Sequence, residues 1–170
     1  MSHSENKIGW CLKKAEKELL VSDKHRGLVK IKPDLGLARL HLSKAEHNLK
    51  AIMDFKRAGY SDWSSSAAFY SVYHCFLAIL AKFGFESRNQ ECTFAVIYDL
   101  IDKGQVGLSK VLVEEIHSLD LDQKHESAEM IDVREETQYG VKLSLEDDTF
   151  ERLLDVAKKV LDNTKEVLLK

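Results

Sequence analysis

Histidine is the side chain best suited to moving protons near neutral pH, and of the seven here His74 has the most unusual setting. It sits in the run from Trp63 to Ala81, where no charged residue falls between Asp62 and Lys82, with Tyr70 and Tyr73 beside it. The sharp reading makes His74 a catalytic base. The plain one makes it a hydrogen-bonded interior imidazole, and makes the tyrosines core aromatics with polar tips. Metal-ligand patterns are missing: His41 and His47 are six apart, on different helix faces, and an expected helix end separates His117 from His125. Without a Cys-x-x-Cys, a His-x-x-x-His or a glycine-rich phosphate loop, no metal site and no cofactor are expected. The basic residues Lys24, His25, Arg26, Lys30 and Lys32 read as a solvated surface, with nucleic-acid contact as the alternative.

The element that must position His74 is its own uncharged run. At helical spacing Ser64, Ala68, Ser71, Cys75 and Ala78 form a small face, while Phe69, Val72, Phe76, Ile79 and Phe83 form a large one. A helix apolar nearly all round is buried, so the run is expected to be the central helix of a bundle. Its small face admits a neighbouring backbone, and each large side chain contributes roughly 1.5–3 kcal/mol of burial. A membrane span needs about 20 apolar residues. The serines, two tyrosines and a histidine make this run too polar for one, and no membrane association is expected.

Composition narrows the class. With 170 residues, ample charge and Pro33 as its single proline, the chain suits one helical domain with short connections. A formal net charge of -3 argues against a general nucleic-acid binder but leaves room for a local basic patch. Cys11, Cys75 and Cys92 are odd in number and far apart, which points to unpaired thiols and a reducing, cytoplasmic setting. Cys75, on the small face, reads as a buried filler. Met1 to Gly9 lacks the apolar core of a signal peptide.

Along the chain, Ile8, Leu12, Ala15 and Leu19 predict a short amphipathic helix over Ile8 to Val21. The segment Lys24 to Lys32 carries a brief extended alternation, and Pro33 with Asp34 opens a long helix to Ala58, stopped by Gly59. Asp62 is expected to cap the central helix, which ends near Gly84. A polar loop, GFESRNQE, leads to a helix through Phe94, Ile97, Tyr98 and Ile101 that ends at Gly104. Ser109 caps a segment with Leu112, Ile116 and Leu119 on one face. Asp120 to Tyr139 is charged and reads as a partly ordered loop with a helical turn. Ser144 with Asp147 resembles a capping box before a closing helix through Phe150, Leu153, Leu154, Ala157, Leu161, Thr164 and Leu168. The expected fold is all-α: an antiparallel up-and-down bundle of four to five helices over 34–170, with an N-terminal helical arm over 1–33.

Three pieces in this order resemble the HEPN family, small all-helical domains found widely in prokaryotes. ARLHLSKAEHNLKAI, Ala38 to Ile52, is similar to the family's opening helix. SSAAFYSVYHCFLAILAKFG, Ser65 to Gly84, resembles its aromatic helix, in which a tyrosine-rich run precedes a histidine, here His74. VREETQYG, Val133 to Gly140, followed by the closing helix, is similar to an arginine-to-tyrosine segment seen in many members. The resemblance spans about Asp34 to Lys170. It implies a homodimer, often encoded beside a minimal nucleotidyltransferase in a toxin-antitoxin-like arrangement. It also implies, for catalytic members, metal-independent ribonuclease activity through an arginine followed four to six residues on by a histidine.

Here that arginine is Arg134, and Tyr139 stands where the histidine is expected. In metal-free RNA cleavage the 2′-hydroxyl attacks the adjacent phosphate, so one group must take its proton and a cation must steady the developing charge. Tyrosine, with a pKa of about 10, is a poor base at neutral pH. Arg134 can still clamp a phosphate and Tyr139 can stack on a base, with Tyr70 and Tyr73 as further nucleotide or RNA contacts. The plain alternative for Arg134 and Tyr139 is an ion pair and a packed ring. The leading expectation is an interaction module engaging a nucleotidyltransferase or a nucleotide. A ribonuclease toxin using Arg134 with Tyr139 or His74, and a structural bundle with an unrelated partner, are the alternatives.

Overall fold

A computed structural model describes residues 3–117 and 141–170. In chain order the described residues form α1 (His3–Leu19), β1 (Leu28–Lys30), α2 (Leu35–Arg57), α3 (Asp62–Lys82), β2 (Phe85–Ser87), α4 (Gln90–Asp102), α5 (Lys110–His117) and α6 (Asp147–Leu169). The fold is an all-α bundle. The first helix begins at His3, several residues before its apolar periodicity does.

The expected central helix is central. Much of α3 is buried, and α2, α4 and α6 all pack on it. Its small face does what small side chains allow. Ser64 Oγ donates to the Ile52 carbonyl at 2.8 Å and Ser71 Oγ to the Ala45 carbonyl at 2.9 Å, so the α2 backbone lies directly against α3. Each serine thereby satisfies its own hydroxyl in a fully buried interface. Its large face builds the core with α4 and α6: Phe76 meets Phe94 edge-on at 5.5 Å, and Phe69, Ile79, Phe150, Ala157 and Val160 are all buried. By length and composition α3 would pass as a membrane span, but 67% of its most apolar window is buried inside this fold.

Helix ends follow the expected chemistry in part. Asp34 caps α2 by accepting from the Leu37 amide, Ser109 caps α5 through the Leu112 amide, and α2, α3 and α4 each stop just before a glycine. Two expected caps are corrected. Asp62 is the first residue of α3 rather than its cap; Ser61 precedes it, and the Ser61 hydroxyl accepts from the Leu145 amide instead. Ser144 makes no capping box, because α6 starts at Asp147 after Glu146. In both places acids fill the first turn, where the helix dipole favours them without a cap bond.

The stretch GFESRNQE is not all loop. Phe85–Ser87 pairs antiparallel with Leu28–Lys30, in the register Leu28 to Ser87 and Lys30 to Phe85. Gly84 makes this ribbon possible: its φ is +80°, and a Cβ there would sit 2.9 Å from the Ile31 carbonyl oxygen. The cysteines are corrected too. Cys11 of α1 and Cys92 of α4 form a disulfide, leaving Cys75 as the free thiol. Separation in sequence is no barrier once α1 lies on α4, and the inference from unpaired thiols to a reducing compartment loses its premise. Cys75 is the expected buried filler, its thiol pushed up to about 12 chiefly by burial.

Candidate functional site

The side of α3 that its neighbours leave open is the place to look for function. Trp63, Tyr70, Tyr73, His74 and Leu77 recur there at helical spacing. Trp63 is 57% exposed and Tyr70 46%, while Tyr73, His74 and Leu77 are half-buried. This corrects the expectation of Tyr70 as a core aromatic, and shows that a helix apolar nearly all round still keeps one strip open to solvent. Tyr73 fits its plainer reading better: its ring stacks on Phe69 at 6.0 Å and its hydroxyl meets that of Thr93 at 3.3 Å. Thr93 passes the link to Ser87 at 2.9 Å, tying the helix to the ribbon.

His74 has a partner that sequence reasoning missed. Its Nδ1 lies 3.1 Å from Nδ1 of His41 on α2, with ring centroids 5.3 Å apart. The cause is antiparallel register. Moving from Ser64 to Ser71 along α3 moves the backbone contact from Ile52 back to Ala45, so the next turn brings His74 to His41. The small face of α3, set antiparallel against Ala38, Ala45 and Ile52 of α2, was the signal available in the sequence.

Their surroundings hold both imidazoles toward the neutral form. Burial first, then His41 and Lys44, lower His74 to about 4. Burial lowers His41 as well, partly offset by the Glu86 carboxylate from β2. One imidazole N–H can then donate to the other ring, an arrangement that a second proton would break. A base this weak suits proton abstraction at neutral pH poorly, since general-base strength follows pKa. Among the described residues no group of three or more His, Cys, Asp or Glu side chains converges as metal ligands would. Arg134 and Tyr139, with the rest of 118–140, lie outside the described residues.

The α2–α3 pairing, the aromatic α3 and the closing α6 fall within one continuous match: the family model for the HEPN domain covers residues 38–167. The chain belongs to the HEPN family. The matched region takes in α2 through α6 and leaves α1 and β1 outside it. No curated protein matches the sequence. As a HEPN domain the chain is a helical module of a family in which nuclease and toxin roles are common.

Proposed function

We propose that this HEPN chain is an interaction module that forms a homodimer and engages a minimal nucleotidyltransferase or a nucleotide in a toxin-antitoxin-like system. One observation carries the reading: a helix otherwise buried in the bundle holds Trp63 and Tyr70 out to solvent on one side. Clustered exposed aromatics on an otherwise packed element mark contact surfaces. The neutral, hydrogen-bonded state of His74 favours binding over cleavage at the same place.

Light scattering at micromolar concentration tests the homodimer. Two chains per particle are expected, with Trp63→Glu and Tyr70→Lys shifting the mass toward one chain. A single-chain mass for the wild type removes the dimer, and failure to capture a co-expressed minimal nucleotidyltransferase removes that partner.

A further inference from the structure

Charge is divided unevenly along this chain. Residues 1–33 carry eight Lys and Arg against four Asp and Glu, whereas 34–170 carry seventeen against twenty-four. A cationic arm therefore lies on an acidic body, an asymmetry that the overall charge of -3 conceals.

The arm's cations are left available. On the body, Lys56, Lys103, Lys110, Arg152, Lys159 and Lys165 pair with carboxylates, while among the described residues Arg39, Lys44, Lys50 and Lys158 do not. On the arm Lys7 pairs with Glu91, but Lys13, Lys14, Lys17, Lys24, Arg26, Lys30 and Lys32 are without an ion pair among the described residues. His3, Lys7, Trp10, Lys14 and Lys17 follow one another at steps of four and three, a single stripe along α1. Within that stripe the Trp10 ring is 52% exposed, with the Lys7 and Lys14 ammonium groups 4.9 and 5.3 Å from its centroid.

The turn between α1 and β1 carries further cations close to the helix end. The Arg26 amide donates to Glu18 at 2.5 Å, bringing Lys24 and Arg26 to the end of α1. Gly27 lies so close on α1 that a Cβ would stand 2.7 Å from the Cys11 carbonyl oxygen. The Cys11–Cys92 disulfide and the β1–β2 pairing fix both parts to the body, so the backbone that carries the cations is in place before any ligand arrives.

We infer that the N-terminal arm is a binding surface for single-stranded nucleic acid. An unpaired base stacks on Trp10 in place of a lysine ammonium, which swings off the ring, and the flanking phosphates meet Lys14, Lys17, Lys24 and Arg26. The exposed indole selects a single strand, because duplex bases are already stacked on one another. The acidic body confines the strand to the arm by repulsion elsewhere. The surface lies outside the residues of the HEPN match and depends neither on the open side of α3 nor on dimerisation.

Fluorescence anisotropy with a labelled single strand of about 12 nucleotides, in RNA and DNA forms at low salt, tests the assignment. Lys14→Glu with Lys17→Glu, and Lys24→Glu with Arg26→Glu, are each expected to weaken binding about tenfold or more. Each pair should also flatten the log–log salt dependence by roughly 1.4, about 0.7 for each phosphate that is no longer neutralised. Trp10→Ala should cost about tenfold and Trp10→Phe much less. The control pair Lys50→Glu with Lys158→Glu changes net charge equally on exposed body positions and should leave affinity within about twofold. The assignment fails if neither strand binds, or if the control pair weakens binding as much as the arm pairs do. It also fails if polyglutamate displaces the strand as well as unlabelled RNA, which would make the arm a surface for acidic proteins.

Discussion

His74 stands out in the sequence for its uncharged run, and what gives it character is a second histidine from another helix. The contact between the two Nδ1 atoms makes the pair a proton-sensitive clasp between α2 and α3. In the folded chain His74 titrates near 4, against 6.5 without the fold. The unfolded chain therefore binds the extra proton first as pH falls. Stability contributed by the neutral form is fully present above pH 6.5 and is lost as pH drops toward 4. Urea denaturation across that window should show wild type losing more stability than His74→Gln; parallel curves would mean that burial imposes no such penalty. Carboxylates titrate in the same range, so the difference between the two proteins is the informative quantity.

At the scale of elements, α1 and the extended stretch within Lys24–Lys32 show in local pattern, and what they attach to is least legible in the sequence. The three residues of β2 have too little periodicity to announce a strand, and GFESRNQE becomes partly extended only because Leu28–Lys30 lies beside it. The disulfide is hidden for a related reason: the separation of 81 residues says nothing about distance once α1 lies on α4. Closing a loop of that size removes unfolded-state entropy worth about 4 kcal/mol in the chain-entropy account. Replacing both cysteines by alanine, or adding reductant, should lower unfolding stability by an amount of that order. Amide exchange should rise in α1 well before it rises in α3. Equal exchange in both helices would mean that the arm and body unfold as one unit regardless of the link.

For the whole molecule, the proposed role predicts a chemical silence. Incubated with single-stranded RNA in chelator, the purified protein is expected to leave the RNA intact. Arg134→Ala and Tyr139→Phe should behave as the wild type does. Cleavage that disappears in Arg134→Ala would instead establish a ribonuclease working without the usual histidine. Such an outcome would leave the arm's binding surface standing, because the two lie in different parts of the chain.

The bundle itself is written in local pattern. The small and large faces of α3, the three-four rhythm of Leu35, Ala38, Leu42, Ala45, Leu49 and Ile52 in α2 and the like rhythm of α6, and the Asp34 and Ser109 caps keep their meaning wherever the helices are placed. The HEPN resemblance, drawn on segments within that pattern, rests on the same local order. Which residues meet is a matter of assembly. His41 faces His74, Cys11 joins Cys92, and Trp63 and Tyr70 stay in solvent because helix register and packing fix them. Burial and neighbouring charge then set how His74 holds its proton, and both come from side chains distant in sequence. An amphipathic pattern shows that a face will be covered; only the assembled neighbours show by what, and which strip they leave open.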